Sequence, residues 1–276
     1  EAGGASETAV PLIEIENLAH RVSDIAGRFF NHPSRQLKLI GVTGTNGKTS
    51  CSQLIAQLLR RLHGACGVPG TLGYGLQEGG TGGGLTTPDA IQVQRVLAEW
   101  VDAGVPFAVM EVSSHGLDQG RVVGLRFDTA VFTNLSRDHL DYHRSMESYA
   151  RAKSRLFQMP DLRFALLNSD DDFGRTLASE TSASSVALYS LDDREAGVYC
   201  TDIRYHDAGT DAQLHSPWGE AALHSPLLGP FNLANLLAAV GAVAALGFPL
   251  SAVAAAVPHL KPVPGRMQRL ESGAGF

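Results

Sequence analysis

Two hydrophobic rhythms alternate along the chain. Short apolar runs that exit into polar residues or glycine read as buried strands: "LKLIGVTG", "PFAVMEVSS", "FDTAVFTNLS" and "RFALLNSDDDFG". Between them the apolar residues recur every three or four positions, as in helices. In "KTSCSQLIAQLLRRLHG", Leu54, Leu58 and Leu62 share one face and Gly64 supplies the stop. "IENLAHRVSDIAGRFF" carries an apolar repeat at Leu18, Val22, Ile25 and Phe29, and Asn31 to Ser34 end it. Pro88 opens "DAIQVQRVLAEWVDAG", and "SMESYARAKSRLFQM" is helical.

This alternation predicts an α/β fold: a mostly parallel central sheet with flanking helices and polar residues gathered where the strands end. From Ser182 to Pro226 the character changes. "VALYSL", "GVYCTDIRYH" and "AQLHSPWG" read as short antiparallel strands, a small β-rich subregion and not an independent domain. The glycines at 79–84 mark a mobile loop, and the opening Gly/Ala/Ser/Thr stretch a tail. Leu236 to Val257 is long enough to span a bilayer, but it is alanine-rich and broken by Gly247 to Ser251. Two buried helices are expected there, and no membrane span.

Hydrophobic residues make up 44% of the 276 residues and charged residues 18%, which excludes a disordered chain. The formal net charge of -6 offers no polybasic surface for nucleic acid or lipid. Cys51, Cys66 and Cys200 form neither a disulfide framework nor a zinc pattern. With no basic-then-apolar order at the start, a cytoplasmic protein is expected. Glu1 itself reads as a trimmed beginning.

The richest chemistry lies in Gly44-Thr45-Asn46-Gly47-Lys48-Thr49-Ser50, between a strand and a helix. Glycines permit close backbone approach, and a helix start offers unpaired N–H groups and a positive dipole end. Lys48 would reach outer phosphates, and the Thr49 hydroxyl would face a magnesium ion. The bland alternative is a tight turn with a surface lysine. The usual P-loop spacing is not fully met: Val42 stands where the first glycine belongs, and Gly41 comes one residue early. Glu111, at a strand end, is a hard-oxygen ligand for magnesium or a surface carboxylate. His139 and His143 are four apart, without the Glu-flanked zinc motif. "SSH" at Ser113 to His115 lacks the nucleophile-elbow pattern of a hydrolase.

"GTNGKT" is the loop shared by the cytoplasmic peptidoglycan amide ligases, the Mur ligases, and their folate-polyglutamating relatives. In order after it come "TTPD" (86–89), "MEVSSHGLDQGR" (110–121), "FTNLSRDHLDYH" (132–143), "YARAKSRLF" (149–157), "GPFNLANLLAA" (229–239) and "PGRMQ" (264–268). Over residues 12 to 270 this set resembles the Mur ligases that add the third muropeptide residue. The resemblance implies an ATP- and magnesium-dependent amide ligase. UDP-N-acetylmuramoyl-L-alanyl-D-glutamate would be activated as an acyl phosphate and attacked by an amine. Central segments favour meso-diaminopimelate over L-lysine as that amine. The alternatives are an L-lysine-adding homologue, a folylpolyglutamate synthase and a regulatory P-loop module.

By the same resemblance, Thr49, Glu111 and His139 lie around two magnesium sites. Lys153, one of four lysines and otherwise an ordinary helical one, is carbamylated and joins them. Lys48, Lys153, His139 and Glu111 form the catalytic set. Asn134 and Asn235 contact the nucleotide, unless strand-end turning or helix capping, with Asn232, explains them. Thr86, Thr87, Ser113, Gln119 and Arg121 line the muropeptide site. Residues 1–36 correspond to the tail of an N-terminal UDP-binding domain and a connecting helix. Residues 37–262 correspond to the central ATP-binding domain, and 263–276 to a hinge toward a C-terminal domain carrying the amino-acid site. A monomer with little complete turnover on its own is expected.

Overall fold

A computed structural model describes residues 13–76 and 85–267. The glycine run at 79–84, the first twelve residues and the end of "PGRMQ" lie outside the described residues. Among those described, the strands are β1 (Lys38–Thr43), β2 (Val68–Gly70), β3 (Gly73–Gly75), β4 (Phe107–Glu111), β5 (Thr129–Phe132), β6 (Phe164–Asn168), β7 (Ser185–Ser190), β8 (Val198–His206), β9 (Gly209–Ser216) and β10 (Gly219–Ser225). The helices are α1 (Leu18–Phe29), α2 (Lys48–His63), α3 (Ala90–Asp102), α4 (Ser114–Asp118), α5 (Leu140–His143), α6 (Met146–Ser154), α7 (Asp172–Glu180), α8 (Pro230–Ala245) and α9 (Leu250–Ala256).

Eight strands form one sheet in the order β10-β9-β8-β7-β6-β5-β1-β4. Pairing is parallel from β4 through β1, β5, β6 and β7 to β8, then antiparallel to β9 and β10. The chain leaves β1, adds β4 on one side and β5 on the other. The carboxyl end of β1 is thus a switch point, where open sheets leave a crevice. Alternation along β1 feeds both faces. Ile40 and Val42 enter a core with α2, α8 and α9. Leu39 enters a second core with Val93, Leu97 and Trp100 of α3, and with Phe127 and Phe157.

That alternation also accounts for the unusual loop spacing. A Cβ at Gly41 would lie 2.8 Å from the Phe127 ring, so this glycine serves packing behind β1. Val42 is fully buried in the opposite core.

Gly64 terminates α2 with φ of 99°, as expected. Leu236 to Val257 falls into α8 and α9 with a break at Gly247 to Pro249, and among the described residues no helix is long and apolar enough to cross a membrane. The three cysteines are free and buried, and burial pushes the thiols of Cys66 and Cys200 up to about 12.

Three local readings are corrected. The apolar repeat of α1 does not face the core: Phe29 is 81% exposed, and Leu18 and Ile25 are exposed as well. The buried side of α1 is Ser23, Ala26 and Gly27, small residues that let the helix approach closely. Gln94 Nε2 on α3 donates to the Ser23 carbonyl at 3.2 Å, and Ser23 Oγ accepts from the Gly124 N–H. "VALYSL" is β7, a parallel partner of β6; only β8, β9 and β10 form the antiparallel end, and they extend the main sheet. Asp89, not Pro88, starts α3: its carboxylate accepts from the N–H groups of Ile91 and Gln92.

Candidate functional site

The loop between β1 and α2 is tied down from several neighbouring elements. Thr45 donates its N–H to the Asn134 carbonyl at 2.7 Å, and Asn46 donates its N–H to Asn134 Oδ1 at 3.0 Å. Thr133 Oγ1 donates to the Asn46 carbonyl at 2.6 Å. Thr45 Oγ1 lies 3.1 Å from the Tyr149 hydroxyl on α6. Gly44 and Gly47 take φ of 150° and 84°, and neither has room for a side chain. A Cβ on Gly44 would sit 1.9 Å from Thr133 Oγ1; one on Gly47 would sit 2.5 Å from Asn235 Oδ1. The first intrahelical bond of α2 runs from the Cys51 N–H to the Gly47 carbonyl, so the amides of Lys48, Thr49 and Ser50 have no intrahelical acceptor.

Lysines and a carboxylate surround this loop. Lys48 Nζ donates to the carbonyls of Gly44 and Thr45, both at 2.9 Å. Lys153, 1% exposed, donates to the same Gly44 carbonyl at 2.8 Å and stands 4.4 Å from the Tyr149 ring centroid. Burial, then the Lys48 charge, holds the Lys153 amine well below the usual lysine range, with Asp138 opposing. Burial also lowers Lys48, which Glu111 and Asp138 partly restore. On β4, buried Glu111 accepts from the Thr49 hydroxyl at 2.8 Å. An adjacent hydroxyl and carboxylate form the hard-oxygen pair that suits magnesium, an ion completed by phosphate oxygens and water.

His139 is not brought to that pair. It is exposed; its Nε2 is 3.5 Å from Asp138 Oδ2, and its ring meets His115 at 4.8 Å. Among the described residues no hydrogen bond, ion pair or ring contact joins it to Thr49 or Glu111, and no three His, Cys, Asp or Glu side chains gather as a metal-holding group. Thr49 and Glu111 fit a cation held mainly by phosphate.

Beside the loop opens a cavity of about 520 Å³. Asn46, Gly47, Asn134, Asn235, Phe231 on α8 and Asp192 beyond β7 are among its lining residues. All of this sits at the carboxyl ends of parallel strands. Asn235 therefore faces the cavity. Asn232 does not cap α8: its Nδ2 donates to the Leu228 carbonyl at 2.9 Å, and the helix starts at Gly229-Pro230 without a side-chain cap.

Of the residues expected to line the muropeptide site, Thr87, Ser113, Gln119 and Arg121 form one hydrogen-bonded chain. Thr87 Oγ1 donates to the Glu111 carbonyl at 2.9 Å and accepts from the Ser113 N–H at 2.8 Å. Ser113 Oγ accepts from the Gly116 N–H, capping α4. Arg121 donates to the Thr87 carbonyl at 2.7 Å and from Nε to Gln119 Oε1 at 2.9 Å. Thr86 is within 3.4 Å of the Thr71 hydroxyl. Thr87 is fully buried, so its hydroxyl positions its neighbours; Thr86, Ser113, Gln119 and Arg121 keep exposed surface.

The sequence reading gave no role to Thr133, Asp138 and Tyr149, although they lie in the quoted segments 132–143 and 149–157, and it missed Thr71, which no local pattern marks. It also missed a buried pair: His143 Nε2 lies 2.9 Å from Ser114 Oγ. Ser114 is 1% exposed, so the pair is closed to a substrate and clasps α4 to α5.

Switch-point crevice, phosphate-type loop and flanking carboxylate define a P-loop nucleotide-binding α/β domain by geometry. Comparison makes the class definite: residues 42–243 match the Mur ligase middle domain, and the chain belongs to that family. It is 56% identical, over 99% of its length, to UDP-N-acetylmuramoyl-L-alanyl-D-glutamate–2,6-diaminopimelate ligase of Pseudomonas aeruginosa, and spans 57% of that protein. The like-named ligase of Coxiella burnetii is 46% identical over 96% of the chain and 55% of the relative. A solved structure of a ligase with this name superposes with a TM-score of 0.87 at 40% identity, covering 99% of this chain and 55% of that one. Folylpolyglutamate synthase of Mycobacterium tuberculosis, complexed with ADP, shares the fold with a TM-score of 0.76 at 20% identity, over 94% of this chain and 65% of the other.

Proposed function

We propose that the chain is the nucleotide- and muropeptide-binding part of an ATP-dependent ligase that joins 2,6-diaminopimelate, in its meso form, to UDP-N-acetylmuramoyl-L-alanyl-D-glutamate. The observation that carries this is the joining of two sites through Glu111. Its side chain meets Thr49 of the phosphate-type loop, and its backbone carbonyl meets Thr87 of the substrate network. The high identity to ligases of that name supports the choice of amine.

In this reading ATP enters the cavity beside the loop, with its base toward Phe231 and Asn235. The amides at the start of α2 and the ammonium of Lys48 hold the phosphates. Lys48 gives up the Gly44 and Thr45 carbonyls to do so. Arg121, Gln119, Ser113 and Thr86 hold the acidic end of the muropeptide. A carboxylate oxygen of that substrate attacks the γ-phosphorus and ADP leaves, giving an acyl phosphate. The amine then attacks the acyl carbon, phosphate leaves, and the nitrogen loses a proton as the amide forms. Magnesium beside Thr49 and Glu111 would offset charge on the transferring phosphoryl group. His139 remains a proposed ligand only if its segment moves on binding.

We propose that Lys153 is carbamylated. A neutral amine is the form that adds CO₂, and burial beside Lys48 favours that form. The product is an anion next to a cation. Residues 37–262 are the catalytic core of this proposal, flanked by a tail of a UDP-binding domain (1–36) and a hinge (263–276). Because the relatives are almost twice as long, we propose that a chain of this sequence alone binds nucleotide and muropeptide as a monomer but does not complete ligation. Proximity of amine and acyl phosphate is a large part of catalysis, and the amine-binding part is expected in the additional length.

A structure with a nonhydrolysable ATP analogue, magnesium and the UDP-muropeptide tests the whole reading. Phosphates on Gly44 to Ser50, and the peptide carboxylate between Arg121 and Glu111, are the expected result. Nucleotide bound elsewhere overturns it.

A further inference from the structure

Glu111 is gripped from a side that none of the recognised motifs supplies. The β2–β3 hairpin turns at Thr71 and Leu72 directly against the carboxylate. A Cβ on Gly70 would lie 2.4 Å from Glu111 Oε1, so the hairpin could not come so close with any other residue there. Thr71 then makes two contacts. Its backbone N–H donates to Oε1 at 2.8 Å, and its hydroxyl donates to Oε2 at 3.0 Å. Thr49 donates to that same Oε2. Both oxygens are therefore held, and the plane of the carboxylate is fixed by one residue.

We infer that Thr71 is a positioning residue that fixes the Glu111 carboxylate beside the Thr49 hydroxyl for a divalent cation on nucleotide phosphates. A cation that takes a lone pair of the Thr49 oxygen leaves the Thr49 O–H able to donate to Oε2 alone. Thr71 is the residue that holds both carboxylate oxygens and so keeps the carboxylate aimed. Partners that orient a ligand in this way commonly change metal affinity about tenfold or more when removed. The inference rests on reading Thr49 and Glu111 as a magnesium–nucleotide site.

Thr71→Val removes the hydroxyl but keeps the shape and the backbone N–H; Thr71→Ser restores the hydroxyl. Binding of a nonhydrolysable ATP analogue to the chain is measured by calorimetry across a magnesium titration, and bound manganese is read by its paramagnetic resonance. Without metal, the valine variant and the wild type are expected to bind the analogue alike. Its apparent affinity for magnesium and manganese falls about tenfold, and the serine variant recovers it. Should the valine variant not fold, Thr71→Ala repeats the test without the extra methyl against the carboxylate. A variant that folds and keeps the wild-type metal response makes Thr71 a hairpin residue only, with the nucleotide site intact. A wild-type chain whose analogue binding ignores magnesium removes the site reading and this inference together.

Discussion

Replacing Lys153 by methionine probes the electrostatics of the loop directly. The Nζ atoms of Lys48 and Lys153 donate to one oxygen, Gly44 O, at 2.9 and 2.8 Å. They can be no farther apart than the sum of those distances, 5.7 Å. Two full charges at that separation repel by about 3 kcal/mol at an effective dielectric constant of about 20. Loss of hydration adds to this; the Gly44 carbonyl and the Tyr149 ring offset part of it. Lys153 accordingly sits well below 10.5. In the window beneath 10.5 the unfolded chain holds a proton that the folded chain releases, so this group makes stability rise with pH. Methionine has similar reach, and Gly44 O keeps its bond to Lys48. Lys153→Met is therefore expected to stabilise the chain by about 2 kcal/mol near pH 7, or about 4 °C in Tm. The gain should shrink toward pH 10. Melts followed by circular dichroism in bicarbonate-free buffer measure it. Added bicarbonate should raise the wild-type Tm, leave the variant unmoved, and add the mass of one CO₂ to the wild type alone. A variant less stable than wild type in bicarbonate-free buffer at every pH would refute the reasoning, because the ammonium would then be a net stabiliser.

Four further substitutions separate the loop, its cavity and the clasp behind it. Gly64→Ala meets open space at φ of 99°, so it should cost only backbone strain of about 1–2 kcal/mol and leave nucleotide binding unchanged. Gly47→Ala adds a collision with Asn235 to similar strain, and calorimetry should show analogue binding lost as well. Phe231 is 76% exposed at the cavity rim; Phe231→Ala should shift Tm by less than about 1 °C yet weaken adenine nucleotide about tenfold through lost stacking. An unchanged affinity places the base elsewhere. His143→Ala leaves the buried Ser114 hydroxyl without its partner and should cost about 1–3 kcal/mol. Burial, then the neighbouring His115, holds the His143 ring below its ordinary value of 6.5. Unfolded histidine takes its proton first on acidification, so stability falls as pH drops through about 6.5, and less steeply in the variant. Equal slopes would remove His143 from that account.

Patterns with a short range were the ones that could be read in advance. The strand–glycine–helix order at Leu39 to Ser50 is contiguous, and its backbone geometry follows from its own residues. The break at Gly247 to Pro249 is equally local. The α1 face was not readable, because an exposed Phe29 stripe and a buried one share the same period. What buries Ser23, Ala26 and Gly27 is their small size against α3 and Gly124, a property of the partner. The direction of β7 was hidden likewise, since "VALYSL" alternates in the same way in a parallel or an antiparallel pair. At the site, Lys48 and Thr49 carry a signature. Thr71 is a single threonine outside every quoted segment, and its meaning arises only when Glu111 folds against it; Thr133 lies inside a quoted segment, but its contact with Asn46 does not follow from that segment.

That dependence on neighbours has a physical consequence for the loop. Its backbone is shaped by Asn134 and Thr133 at the end of β5, by Tyr149 and Lys153 on α6, and by Asn235 on α8. None of those contacts needs a ligand. Groups that bind phosphate work best when their order is fixed before the phosphate arrives, because no reorganisation then opposes binding or reaction. The loop divides its amides accordingly. Those of Thr45 and Asn46 are spent on Asn134 and set its shape. Those of Lys48, Thr49 and Ser50, at the head of α2, are left without helical acceptors, and Lys48 has only backbone carbonyls to give up. Structural and binding groups are thus different atoms of the same short segment.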